Sequence, residues 1–325
     1  MAADPLNPAP TDAGAERAPL VSIGLNCYQA ERWIGSCLDS LLDQTEADFE
    51  IVIADNGSRD RTVEICRAYA SRDPRIQVHT SDRNLGLAAN LNRVFFLSRG
   101  KYFFWASAND LYGPRFIESC IEPLDADPRV VLVGVRPMVF ENDITQATPR
   151  GTVLAAQFTD QRAHMLDVMS TMIRDAHLFR GIYRRSALAQ MMPLPPRFGQ
   201  DQVTLVRLAA LGRLIQLNGP HYFERWAPGA STHTIPMTRR IHHYEPQAGW
   251  SCYLFHRIRN VADFWRVGMA QANGAIDSGR LALRLAPVTA PLVYQALRDD
   301  LVDLLVIALD FARIPIPRRR KSLAH

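Results

Sequence analysis

The sequence predicts an α/β fold: a mainly parallel sheet covered by helices, with a helical C-terminal extension. Two observations carry this. Up to about residue 135, short apolar runs alternate with segments of helical periodicity, the pattern of strands joined by crossover helices. Within that stretch the run Phe49 to Ala54 stops at Asp55, turns through Asn56-Gly57-Ser58 and enters a helix. A carboxylate at the carboxyl end of a strand sits where open α/β sheets bind their ligands.

The elements follow in order. Val21 to Leu25 is a short buried strand. Glu31 to Leu42 carries Trp33, Ile34, Cys37, Leu38, Leu41 and Leu42 at helical spacing. Phe49 to Ala54 is the second strand. Asp60 to Tyr69 is a helix, which Ser58 or Asp60 would cap. Arg75 to His79 is the third strand, Gly86 to Leu97 a helix and Tyr102 to Ala106 a fourth strand. Pro114 suits the first turn of a helix over Arg115 to Leu124, and Val130 to Val135 is a fifth strand. The middle is mixed: a helix around His164 to Arg174, a short strand near Phe179 to Tyr183, and a helix opened by Arg184 and ended by Pro193, Pro195 and Pro196. Gln202 to Leu211 is a helix stopped by Gly212. Beyond about residue 236 strand signals vanish, and Tyr253 to Trp265 and Leu281 to Phe311 read as helices. The expected organisation is a tail over 1–18, a sheet domain over 19–235 and a helical extension over 236–325.

Composition narrows the function. The chain has 325 residues, 47% hydrophobic and 22% charged, with a net charge of +4. That balance is globular, and its mild basicity suits an anionic small molecule or anionic membrane face; it is too weak and scattered to point to nucleic acid. No apolar run approaches the roughly 18–20 residues that span a bilayer, and the Ala/Pro-rich start lacks the apolar core of a secretory signal. Five cysteines without zinc-site spacing read as buried thiols in a reducing cytoplasm.

Five segments together resemble the inverting glycosyltransferases of family 2, with the nucleotide-sugar-binding GT-A fold, over about residues 19 to 232. They are Val21-Ser22-Ile23-Gly24-Leu25-Asn26-Cys27-Tyr28-Gln29, Ile53 to Thr62, Asn84-Leu85-Gly86, Trp105-Ala106-Ser107-Ala108-Asn109-Asp110, and Gly199-Gln200-Asp201 before a helix. The resemblance implies a nucleoside-diphosphate sugar donor held by Leu25, Asn26, Tyr28, Glu31, Asp55, Asn84, Gly86, Ala108 and Asn109, with Asp55 reading the nucleobase. It implies Asp201 as the general base that deprotonates an acceptor hydroxyl. Trp105 is a weaker candidate for the donor wall, and His177 and Arg180 for the acceptor wall. The family usually holds Mg²⁺ or Mn²⁺ in an Asp cluster. Here Ser107-Ala108-Asn109-Asp110 leaves Asp110 as the carboxylate ligand and Asn109 as an amide-oxygen candidate, and Ala227 stands where relatives often carry His. Two alternatives stay open: a metal carried mainly by the donor diphosphate and Asp110, or arginines such as Arg83, Arg225, Arg239 and Arg240 doing part of that work.

Other classes fit less well. No Gly-x-Gly-x-x-Gly follows the first strand, so a dinucleotide-dependent dehydrogenase is excluded. A nucleotidyltransferase would want a Gly-rich, basic loop where Asn26-Cys27-Tyr28-Gln29-Ala30-Glu31 stands. A sugar-nucleotide- or glycan-binding protein without catalysis is the main rival. The apolar segment Asp300 to Phe311 and the basic run Arg318 to Lys321 fit a lid or homodimer surface. A cytoplasmic protein touching the inner membrane face is the second reading. The sequence does not specify the acceptor.

Overall fold

The computed structural model describes residues 17–151, 153–154, 160–172, 176–197, 199–219, 221–227 and 256–272, together with 277–280, 282–286, 289–290, 293–294 and 296–298. Residues 1–16 of the predicted tail, Arg239 and Arg240, and the segment from residue 299 onward lie outside the described residues.

The chain runs β1 (Val21–Cys27), α1 (Ile34–Leu42), β2 (Phe49–Asp55), α2 (Thr62–Ala70), β3 (Ile76–His79), α3 (Leu87–Leu97), β4 (Tyr102–Ser107), β5 (Leu111–Tyr112), α4 (Phe116–Ala126), β6 (Val130–Val135), β7 (Met138–Phe140) and β8 (Thr148–Pro149). It continues α5 (Gln161–Met172), β9 (Ile182–Arg184), α6 (Arg185–Leu188), α7 (Gln200–Leu211), β10 (Arg213–Leu217), β11 (Tyr222–Arg225) and α8 (His256–Met269).

A seven-stranded sheet in the order β10-β6-β9-β4-β1-β2-β3 forms the centre. β1, β2, β3 and β4 are mutually parallel neighbours, and only β9 runs antiparallel, wedged between β4 and β6. Every residue of β2 is buried, as expected of a parallel strand covered on both faces. One face packs Ile34, Leu38 and Leu41 of α1, Cys66 of α2 and Phe116 of α4 against Val21, Ile23 and Leu25. The other packs α3, α5, α7 and α8 against Phe103, Trp105 and Leu132. Gly24 on this second face is a packing requirement, because a Cβ there would lie 2.7 Å from Phe103 Cζ and 2.8 Å from Val94 Cγ2.

The predicted elements up to Val135 are all present, with helix starts two or three residues later at α1 and α2. Three differences stand out. The strand expected near Phe179 is a 3-10 turn over His177–Arg180 followed by β9. β10 was not expected, because Arg213 to Leu217 is half exposed at the sheet edge and lacks a clean apolar run. A second, four-stranded sheet in the order β5-β11-β7-β8 is built from two- to four-residue strands, too short for any periodicity to register.

Candidate functional site

The site begins with loops sewn together at the carboxyl edge of the parallel strands. The loop after β1 is hooked onto the loop after β2 by three backbone amides. Gln29 donates to Ser58 Oγ at 2.8 Å, Ala30 to Thr62 Oγ1 at 2.8 Å and Glu31 to Asp60 Oδ2 at 3.1 Å. Glu31 returns the link by accepting from the Arg61 amide at 2.9 Å. The loop after β3 is held the same way: Asn56 Nδ2 donates to Asn84 Oδ1 at 2.8 Å, and the Leu85 amide donates to Asn56 Oδ1 at 2.9 Å. Gly57, at φ +80°, lets these backbones meet, since a Cβ there would fall 2.6 Å from the Arg83 carbonyl carbon.

Asp55 ends β2 at this edge and is 1% exposed. Its Oδ2 accepts from the Gly57 and Ser58 amides at 3.1 and 3.0 Å, so in this state the carboxylate shapes the turn. Arg61 is the N-cap of α2 and makes no side-chain cap bond; Asp60, just before it, accepts from the Thr62 amide at 3.1 Å. Asn26 lies level with Ala54 across the β1–β2 pair, and its buried Oδ1 has no partner among the described residues. Asn84 is committed to Asn56 and to the Gly86 amide, at 2.8 Å, and Gly86 takes φ +96° at the start of α3. Tyr28 is half-buried in the first loop. Leu25 and Ala108 are core residues, which leaves only their backbones to face a ligand. Trp105 is fully buried, stacked on Phe179 with centroids 4.8 Å apart, and therefore builds the core instead of lining the donor wall.

The Asn109-Asp110 turn follows β4. Asp110 is 2% exposed. Its Oδ2 accepts from the Tyr222 hydroxyl at 2.7 Å and its Oδ1 from the Arg225 amide at 3.0 Å, tying the main sheet to the second one. Burial raises its pKa above the usual carboxylate value, while nearby Arg180 pulls it down. Burial opposes the charge on Arg180 as well, but Tyr222 and Asp110 hold its pKa up. Asn109 Oδ1 accepts from the Ser107 hydroxyl at 2.8 Å, and Ala227 is buried. A hard divalent ion wants several oxygen ligands. Asp110 has both oxygens engaged, and no group of three His, Cys, Asp or Glu side chains converges among the described residues. The residues here do not fit a protein-held divalent ion.

Asp201 is the second residue of α7, after Gly199 at φ +74°, and is half-buried. Its Oδ1 accepts from the Gln202 amide at 2.9 Å. The approach to it is braced from both sides. Asn92 of α3 accepts from the Leu194 amide at 2.7 Å and donates to its carbonyl at 2.9 Å, and Arg197 pairs with Asp263 of α8 at 2.5 Å. The 3-10 turn bearing His177 and Arg180 packs against α7, β4 and β6, and Tyr183 feels the charges of both Arg180 and Asp201. His177 is buried against Gln216 at 2.7 Å.

Three features escaped sequence reasoning. Tyr222 and the Asn56–Asn84 clamp are contacts between distant segments. The third is a pair of guanidiniums on one indole: Arg32 and Arg225 lie 4.2 and 4.4 Å from the Trp33 ring centroid. The adjacent Arg32-Trp33 was the one local signal available. Among the described residues the thiols Cys27, Cys37, Cys66 and Cys120 are buried and free. A hydrogen bond with Cys66, then burial, pushes Cys27 up, and burial does the same to Cys37 and Cys120.

Comparison with known proteins agrees with this geometry. The family model for glycosyl transferase family 2 matches residues 22–191. An uncharacterized glycosyltransferase, EpsJ, of Bacillus subtilis is 30% identical over 174 residues, covering 51% of this chain and 48% of that protein. A hyaluronan synthase of Pasteurella multocida is 31% identical over 122 residues, covering 38% and 12%. The match thus spans half or less of each of these relatives. Among solved structures, S. aureus TarS 1–349 in complex with UDP-GlcNAc aligns with a TM-score of 0.61 at 14% identity, over 87% of this chain and 81% of that one. A mannosyltransferase of Pyrobaculum calidifontis in complex with GDP-Man and Mn²⁺ aligns at 0.50 and 16% identity, over 91% and 80%; both likenesses are of fold, that of GT-A transferases. With a match covering more than half of its residues, the chain belongs to glycosyl transferase family 2.

Proposed function

We propose that the protein is an inverting glycosyltransferase that moves a sugar from a nucleoside-diphosphate donor to an acceptor hydroxyl, with Asp201 as general base. The observation that carries this is the lacing of the loops after β1, β2 and β3 into one rigid rim at the carboxyl edge, where a nucleotide binds in open α/β sheets. The nucleotide-sugar ligands of the fold relatives, UDP-GlcNAc and GDP-Man, support the donor class.

In this reading the base lies over Asp55 and Asn26, and binding exchanges the hydrogen bonds that Asp55 accepts from the Gly57 and Ser58 amides for contacts with the nucleotide. The acceptor oxygen attacks the anomeric carbon in line. The carbon–oxygen bond to the diphosphate breaks, its electron pair leaves with the diphosphate, and the acceptor proton passes to Asp201. One carboxylate suffices for a single inversion. No step runs through a divalent ion. Working at the cytoplasmic face is part of this proposal; among the described residues no helix is long and apolar enough to cross a membrane.

A second reading, a sugar-nucleotide- or glycan-binding protein without catalysis, is favoured by the engagement of both Asp110 oxygens. Nucleoside diphosphate release from UDP- and GDP-sugars separates the two. Asp201→Asn should lower turnover on the order of a hundredfold or more with nucleotide affinity retained. Helix capping alone would leave turnover intact, because Asn keeps an oxygen for the Gln202 amide. Unchanged turnover in the variant removes Asp201 from the chemistry, and nucleotide binding without turnover in the wild type selects the second reading.

A further inference from the structure

The geometry points to the guanidinium pair Arg32 and Arg225 as the seat of the donor's diphosphate, in place of a protein-held divalent ion; this rests on the glycosyl-transfer reading above. A departing nucleoside diphosphate gathers negative charge that a cation must offset. The Asn109-Asp110 turn has no free carboxylate with which to hold a metal.

Cationic groups stand at that turn instead. Arg225 is fastened to it twice, its Nε donating to the Asn109 carbonyl at 3.1 Å and its amide to Asp110 at 3.0 Å. The Arg225 guanidinium lies 4.4 Å from the Trp33 centroid and 4.5 Å from that of Phe140. Arg32 reaches the same indole from the loop after β1, at 4.2 Å. β1 and β4 are neighbouring parallel strands, so both guanidiniums sit between two adjacent loops of the carboxyl edge.

Neither guanidinium makes an ion pair with an acid among the described residues. Two like charges on one ring are an electrostatic cost. Burial first, and then the charge of Arg32, disfavour the cation at Arg225, while Asp110 favours it. A diphosphate bound by both removes that cost. Its oxygens match the forked donors of arginine, and the aromatic rings already fix the side chains, which lowers the ordering lost on binding.

Calorimetric titration of the full chain tests this with UDP, GDP, uridine, guanosine and inorganic pyrophosphate, each in EDTA and in Mn²⁺. A nucleoside diphosphate and pyrophosphate should bind in EDTA within about threefold of their affinity in Mn²⁺. Arg32→Ala, at an exposed position that leaves folding alone, should weaken pyrophosphate and the diphosphate on the order of tenfold while the nucleoside binds as in wild type. Arg225→Lys keeps a charge at the buried position but loses the fork, and should weaken the same two ligands. Binding that needs Mn²⁺, or both variants binding pyrophosphate as wild type does, overturns the pair and leaves the transfer reading standing. No nucleoside diphosphate binding in either medium overturns both.

Discussion

Replacing Asp110 by Ala removes the acceptor for two buried donors, the Tyr222 hydroxyl at 2.7 Å and the Arg225 amide at 3.0 Å. An unsatisfied buried donor costs about 1–3 kcal/mol, so the two give about 2–6 kcal/mol. Relief from burying a carboxylate works the other way, since burial raises the Asp110 pKa. That relief is partly cancelled because Arg180 loses its counter-charge. A net loss of about 3 kcal/mol follows, in the range seen when one partner of a buried charge pair is removed. For a domain of this size each kcal/mol lowers Tm by roughly 2–4 °C, so the melting point should drop by roughly 6–12 °C. Asp110→Asn should cost less, about 1–2 kcal/mol, because the amide oxygen still takes the Arg225 amide while its NH₂ donates to the Tyr222 oxygen. Urea unfolding of Asp110→Ala, Asp110→Asn, Tyr222→Phe and the double variant measures these values, and the Asn and Phe changes should couple by about 0.5 kcal/mol or more. If Asp110→Ala unfolds within about 0.5 kcal/mol of wild type, the carboxylate is no strut between the sheets. Asp110 would then be available to a cation.

Two further outcomes test the frame. Gly24→Ala should lose about 1–3 kcal/mol through overpacking, because the new methyl meets Phe103 and Val94 at 2.7 and 2.8 Å; urea unfolding near the wild-type value would show that this face of β1 can yield. Burial, and then Arg213, lower the His164 pKa from 6.5 to about 4, so between those values the folded protein binds fewer protons than the unfolded chain. Stability should therefore fall as pH drops from about 6.5 to about 4. His164→Gln keeps an acceptor for the Leu214 amide, 2.9 Å away in the wild type, and should flatten that slope; an unchanged slope assigns the titration elsewhere.

The first half of the fold was legible because each element there satisfies local and global demands together. β2 is a continuous apolar run because it is buried on both faces, and α1 shows its stripe because Ile34, Leu38 and Leu41 all face the core. Where those demands part, reading failed. β10 pairs with β6 at an edge, where all but Leu214 are only partly buried, so its pattern fades. The second sheet is made by pairing, with Tyr222 opposite Tyr112 and Phe223 opposite Met138, and two-residue strands carry no period. A short strand near Phe179 to Tyr183 is legible, but the antiparallel insertion of β9 between β4 and β6 depends on partners far away in the chain.

The candidate site divides along the same line. Asp55, Asn84 and Gly86 could be singled out because turns are local, and local chemistry is written in adjacent residues. Whether an acid is available is a different question, since availability depends on what the rest of the chain brings to it. Nothing next to Asp110 announces that Tyr222 and Arg225, more than a hundred residues later, take both its oxygens. The thinned cluster Ser107-Ala108-Asn109-Asp110 and the guanidiniums at Trp33, which have no acid partner among the described residues, fit the proposed diphosphate seat together. If the proposed donor diphosphate binds here, a chain that turns its last acid of this turn inward to join two sheets must find the positive charge elsewhere. The side chains standing at that turn to supply it are arginines.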